Sequence, residues 1–592
     1  MKVTTNCRFL LFSILILLLN QALFSQNISN TIGTNGRFEI KNGGITYFVV
    51  PQSTGNSFFY RNIVLSLTNS PTLGVIMKGP SSFIHDYAPD GSIGKNTFVG
   101  VTAGNFTLTS SAIYNTALGY GSLSELTTGI NNTAIGSQSL LNNSTGTNNT
   151  ALGSASMYLN TTGSFNTALG NNVLYSNSTA NFNTGAGYQS LMLNTTGNGN
   201  TAFGYSSLHQ NTTASGNSAF GFSSLFKNTI GIGNSSFGYS SLYENTTGNG
   251  NSSFGYYAME NTTTASFNSA FGFGSLRDNI TGQENCAFGS GTLRNNISGG
   301  LNCAFGSSSL LDNFNGNYNS AFGNSSLYRN TTGAYNSAFG YGSISTGTTG
   351  NNNCAFGKFS LQNSTTGSNN SVFGTDAGTT VTTGSNLIII GYDSEPSSPT
   401  VTNQVTLGNS FITSLRCAVT TITSLSDARD KKNIHDLNLG LNFIAKLKPR
   451  IYNWDKREWY EGNVSDGSKM QETPTAGFIA QELDEVQTTE NAEWLNLVMK
   501  DNPEKWEATP GNLLPVMVKA MQELNTKCDA LQQENDKLNA ELKEVKYLKE
   551  KLALLTSQVE HLSSITNEFQ KSSGSKIGTE NNILIISNEN TK

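Results

Sequence analysis

Charge is what this chain has least of. Between residues 115 and 374 only 11 residues are Asp, Glu, Lys or Arg. That scarcity leaves no basic stripe for nucleic acid, so solubility falls to Thr, Asn and Ser. No Asp/Glu pair recurs on one face of this segment, which argues against a polysaccharide-cleaving spike with two carboxylates in a groove. Metal-ligand spacing is also missing. The four histidines, His85, His209, His435 and His561, are scattered, and the six cysteines contain no CxxC pair. No cofactor is expected. Beyond the first 25 residues no run is apolar and long enough to span a bilayer.

What is present is repetition. A glycine recurs every 17 residues from Gly119 to Gly408, 18 copies with no slip. Asn stands four residues before that glycine in 16 consecutive units, Asn115 to Asn370. Leu, Met or Ile stands four after it in 15 consecutive units, Leu123 to Leu361. Asn200 to Leu208, reading NTAFGYSSL, is a clean copy. A globular enzyme has no reason to keep such a beat; a solenoid does, because each turn places the same residue in the same corner. The two apolar strokes of a unit, Ala-Phe and Leu, are too short and glycine-rich for helices. They read as short parallel strands, one coil above the next, at about 4.8 Å per turn, or roughly 80 Å in all. In this reading the column Phe203 to Phe288 forms an apolar ladder along the core, and stacked Asn side chains form amide ladders. The glycine supplies a backbone angle closed to other residues. One 17-residue coil makes a thin core, so packing three chains about an axis is physically attractive.

The NTA(F/I/L)G pattern, followed by Tyr-x-Ser-Leu and closed by NTTG, resembles the head repeats of trimeric autotransporter adhesins over roughly residues 96–408. The resemblance implies a parallel β-roll in a trimer. The adhesin repeat is somewhat shorter than 17 residues. The chain does not end in amphipathic barrel strands, which argues against a true autotransporter.

Lys2 and Arg8 precede an apolar run from Phe9 to Leu19, and Ala22-Leu23-Phe24-Ser25 puts small residues before Gln26. This reads as a secretory signal and implies a secreted or cell-surface protein. The alternative is an uncleaved anchor, which the shortness of the run disfavours. In residues 26–95, Gly36 to Ile40 and Ile45 to Val50 read as strands. Cys286, Cys303 and Cys354 occupy one slot of the repeat, three before the glycine, and read as small buried substitutes. A Cys286–Cys303 disulfide between adjacent coils is conceivable. Cys417 and Cys528 stand alone. The many Asn-x-Ser/Thr triplets follow from turn composition and are not read as glycosylation sites.

Near residue 410 charge and tryptophan return. Three motifs follow in order: Ser426-Asp427-Ala428-Arg429-Asp430-Lys431, then Pro449-Arg450-Ile451-Tyr452-Asn453-Trp454, then Gly477-Phe478-Ile479-Ala480-Gln481-Glu482. Together they resemble the intramolecular chaperone of phage tail spikes and endosialidases, the S74 peptidase family, over roughly residues 425–530. The resemblance implies a domain that aligns three chains of a β-rich fibre and then cuts itself off. It assigns a Ser/Lys dyad to Ser426 and Lys431 and the cut to the Leu425–Ser426 bond. Serine needs a base, and lysine serves only when neutral, so a desolvated pocket is required. A trimer interface could supply it. Lys432 is the alternative base by proximity. Asp427 reads as a cap or loop organiser rather than a catalyst. Seen alone, Ser-Asp before Ala-Arg-Asp is an ordinary helix start.

A helix expected from about Leu513 to Ile565 carries Met517, Met521, Leu524, Cys528, Leu531, Leu538, Leu542 and Val545 at steps of four and three, with Asn535 in the seam. The series resumes at Leu548, Leu552, Leu555, Val559 and Leu562 after one stammer. This is a coiled-coil pattern. The expected architecture is mainly β, a 17-residue-repeat solenoid followed by a small α+β domain and a coiled coil. Its segments are 1–25 (signal), 26–95 (β region), 96–408 (shaft), 409–425 (connector with the cut), 426–523 (chaperone), 524–566 (coiled coil) and 567–592 (tail). The expected partner is the chain itself, as a homotrimer; a surface glycan or receptor is the open class beyond it. No nucleic acid and no membrane segment in the mature chain are expected. The rival reading is a non-cleaving adhesin with a permanent trimer base.

Overall fold

The computed structural model describes residues 73–88, 95–412, 414–416 and 425–572, with residues 68, 70 and 71 and the backbone of the strands at 37–42, 45–51 and 58–59. The expected signal (1–25), Cys417 and the chain beyond 572 lie outside the described residues. The chain forms two compact units, Met1–Ser414 and Leu415–Lys592.

In the first unit, β1 (Arg37–Asn42), β2 (Ile45–Pro51) and β3 (Phe58–Phe59) form an antiparallel sheet. A hairpin of β4 (Ile76–Lys78) and β5 (Ser81–His85) follows, and β5 pairs antiparallel with the first solenoid strand, Thr97–Val99. From there the pairing is parallel and in register at every step. Thr97 meets Thr116, Phe203 meets Phe220, and the ladder continues to Val405–Leu407. Among the described residues this gives nineteen strands of three residues, one per turn.

Each turn buries the same positions. In the turn that begins at Asn200 they are Asn200, Ala202, Ser207, Leu208, Asn211 and Ala214, none more than 1% exposed. Half of that interior is polar, so each polar group must be bonded. The Asn217 backbone N–H donates to Asn200 Oδ1 at 3.0 Å, and Asn217 Nδ2 donates to the Gly231 carbonyl at 2.9 Å. The expected amide ladder therefore exists. A second one runs seven residues after the glycine, where Asn211 Nδ2 donates to Asn194 Oδ1 at 2.7 Å and to the Ala214 carbonyl at 2.9 Å.

The repeat glycines from Gly119 to Gly391 sit at φ between +124° and +146°. A Cβ on Gly272 would lie 2.5 Å from the carbonyl oxygen of Gly289 in the next turn. The column is glycine for conformation and for close approach at once.

Three expectations change. The phenylalanine ladder is real, with ring centroids 4.6 Å apart from Phe220 through Phe288, but it lies on the outer face rather than in the core. Strand alternation is the reason: in Thr-Ala-Phe the middle Ala points inward and both flanks point outward. The same alternation leaves Cys286, Cys303 and Cys354 half-exposed rather than buried; Cys286 and Cys303 pair in register as free thiols. Finally, the Leu stroke is not a strand. Leu208 has φ +49° and Ser206 φ +51°, a left-handed turn that drops the leucine into the core.

The second unit has its own apolar core, built from Phe443, Leu483, Val486, Ala492, Leu495, Leu497, Val498, Leu513 and Val516. Strand Arg450–Tyr452 pairs antiparallel with Thr475–Gly477, and helix Ala480–Thr489 follows directly. The last described element is one unbroken helix, Leu514–Ser572, whose first turns bury Ala520 and set Val516 in the core.

Candidate functional site

The candidate site lies where the second unit begins. Leu425 is fully exposed at 101%. Ser426 and Asp427 then lead into a single 3-10 turn, Ala428–Asp430. The local sequence explains the turn. Asp427 caps it, its Oδ1 accepting the Arg429 backbone N–H at 2.8 Å. The Arg429 guanidinium folds back onto the same carboxylate at 2.5 Å, which holds the Asp427 carboxyl below the usual carboxylate range. Asp427 thus organises the loop.

The cap fixes the spacing of the next residue. Lys431 N–H bonds to the Ala428 carbonyl at 3.2 Å, closing the turn. One turn brings position 431 back over position 426, and the Lys431 ammonium donates to Ser426 Oγ. It is Lys431, rather than Lys432, that makes this contact. The structure therefore brings Ser426 and Lys431 together beside the Leu425–Ser426 bond, on an exposed surface. Among the described residues none encloses them, and both side chains are exposed.

The other two motifs are spaced along the same unit. Tyr452 packs edge-on against Trp454 at 5.3 Å. Arg450 and Glu482 form a two-pronged ion pair at 2.9 and 2.6 Å, which ties the strand of one motif to the helix of the other. Arg450 and Glu482 escaped sequence reasoning as a pair; their only signal is opposite charge inside two motifs. Glu523 was missed as well. It accepts the Leu441 backbone N–H at 2.8 Å and so ties the long helix to the start of the core.

Beyond that junction the helix exposes its apolar stripe. Met521, Leu524, Leu531, Leu538, Leu542, Val545, Leu552 and Val559 are each 48–65% exposed in the single chain. Among the described residues no group of three His, Cys, Asp or Glu could hold a metal ion, and no helix is long and apolar enough to cross a membrane.

Residues 426–491 match the family Peptidase S74, described as the chaperone of endosialidase. The match starts at Ser426 and contains all three motifs. No curated protein and no solved structure matches the chain.

Proposed function

We propose that this chain is a secreted or surface-displayed homotrimeric fibre whose C-terminal chaperone domain drives assembly and then cuts the Leu425–Ser426 bond. The observation that carries the reading is the Lys431 ammonium resting on Ser426 Oγ beside an exposed bond. Support for three chains comes from the chaperone match and from the uncovered coiled-coil stripe.

The chemistry follows from the placement. Ser426 supplies the nitrogen of the bond to be cut, so its Oγ reaches the Leu425 carbonyl carbon through a five-membered ring. Lys431, once neutral, takes the Oγ proton and returns it to the departing Ser426 nitrogen. The C–N bond breaks as the C–O bond forms, leaving an ester of Leu425 on Ser426. Water hydrolyses that ester, which frees the carboxylate of Leu425 and restores the serine. Lysine is neutral near pH 7 only when desolvated. Both side chains are exposed in one chain, so the pocket must come from neighbouring copies, and cleavage waits for assembly.

That exposure also favours the second reading, a domain that folds the trimer and never cuts. Intact mass of the purified full chain beside Ser426→Ala and Lys431→Ala separates the two. A fragment beginning at Ser426, present in the wild type and in Lys432→Ala but absent from the first two variants, supports the dyad. Uncut trimer in every sample removes it and leaves the permanent base.

A further inference from the structure

One column of the solenoid stays apolar through all 18 units, the residue just before the glycine, from Leu118 to Leu407. Its middle is eleven consecutive phenylalanines, Phe203 to Phe373, stacked ring on ring at 4.5–5.2 Å. Among the described residues of this unit nothing covers it fully. Leu152, Phe203 and Phe373 remain 47%, 38% and 41% exposed. Singly exposed apolar residues are ordinary, but a continuous apolar column marks a binding face.

The charges identify what covers this face. Every charged residue between 115 and 374 stands one, five or six residues after a glycine, or five before one; none stands in the strand columns. A parallel, in-register pairing of identical chains sets each residue against its own copy, so any charge there would meet a like charge. Self-pairing demands a charge-free face, whereas an unrelated partner makes no such demand. Period points the same way. A surface repeating at the interstrand spacing is matched along its whole length only by another surface of that spacing. The area suffices too: a face about 85 Å long and 10 Å wide offers on the order of 850 Å² per copy, near the standard of roughly 800 Å² per partner.

We propose that the outer strand face of the solenoid is a seam along which copies of this chain pack parallel and in register, phenylalanine column against phenylalanine column. The proposal rests on the trimer reading above and names the surface that joins the copies. The cysteines share this face, three residues before the glycine.

The test is cysteine crosslinking in the full chain, with every other cysteine replaced by serine. One variant keeps only natural Cys354, which leaves the ladder untouched. Two more carry Phe288→Cys or Phe322→Cys, and two controls carry Arg294→Cys or Arg329→Cys on the charged side. Copper-phenanthroline oxidation followed by a non-reducing gel is expected to give covalent dimers at the three seam positions, at least tenfold above the controls. Native mass is read on the same samples. A trimer without seam crosslinks, or with equal crosslinks on the charged side, overturns the seam and leaves the trimer standing. A monomer overturns both.

Discussion

The two units bury polar atoms in opposite ways. The solenoid interior is half polar, and each turn satisfies the next: Asn200 accepts from Asn217, and Asn211 donates back to Asn194. Among its described residues the C-terminal unit excludes polar side chains from its core almost entirely, with Gln487 the buried exception, accepting from the Leu497 N–H at 3.1 Å. A repeat needs to solve a hydrogen-bond problem once and then reuses the answer, so a polar interior becomes tolerable. A domain without repeats must solve each buried group separately, so it relies on apolar packing. The cost of the repeat shows where it breaks. Thr262 stands where neighbouring turns have Asn, and both its own Oγ1 and Asn245 Oδ1 are left without a partner.

That contrast can be broken most severely at a glycine. Gly272→Val sets a branched side chain at φ +134° against the next turn's carbonyl and is expected to cost more than about 4 kcal/mol. Gly511→Ala in the C-terminal unit, with open space around it, is expected to shift stability by less than about 0.5 kcal/mol. Thermal unfolding of the two variants makes the comparison. If Gly272→Val matches the wild type, the close-approach argument is wrong.

A smaller effect is expected at the amide ladder. Asn217→Ala strips the Asn234 N–H of its side-chain acceptor and the Gly231 carbonyl of one of its two side-chain donors, Asn228 Nδ2 remaining, a loss of about 2 kcal/mol. Hydrogen exchange is expected to rise in the flanking turns and to stay unchanged in residues 441–516. The converse experiment is repair. Thr262→Asn restores the column and is expected to add about 1 kcal/mol; a destabilised product would mean that the threonine is there for packing.

The smallest effect lies at the entry to the solenoid. His85 stacks on Phe106 at 4.5 Å, bonds to the Ala103 carbonyl at 2.8 Å and has a pKa lowered from 6.5, chiefly by burial; Asp86 and the carbonyl bond oppose the shift. A base with a depressed folded pKa binds fewer protons when folded. Its contribution is therefore full above the unfolded value of 6.5 and is lost as pH falls through and below it. Amide protection in Ser81–His85, measured relative to the intrinsic exchange rate at each pH, is expected to fall between pH 7 and pH 5, and His85→Phe to abolish that dependence.

Much of the solenoid was legible because a period reports which residues stack. It does not report which side of the wall they stack on, and so the phenylalanines were read as core. Alternation in a three-residue strand decides that, and the fully buried Ala of Thr-Ala-Phe was the informative residue. The left-handed turn before Leu208 also had a signal. The same slot, two after the repeat glycine, holds Gly121, Gly274, Gly291 and Gly342 in other turns. At the candidate site the Ser426–Lys431 spacing was readable, since five residues across one turn bring the two together. The enclosure that the proposed chemistry needs was not, because none of the described residues supplies it.

The glycine contact has a consequence for how this molecule can change in length. Each turn is seated by a carbonyl lodged where the previous turn's side chain would be, so a shift of one residue collides at every level. From Gly119 to Gly408 the turns therefore repeat as whole 17-residue units, and only the first turn, Gly100 to Gly119, makes the same contact with two residues more. The solenoid is thus a ruler whose smallest division is one turn, about 4.8 Å. A lineage of such chains would differ in reach by integer steps while presenting the same surface.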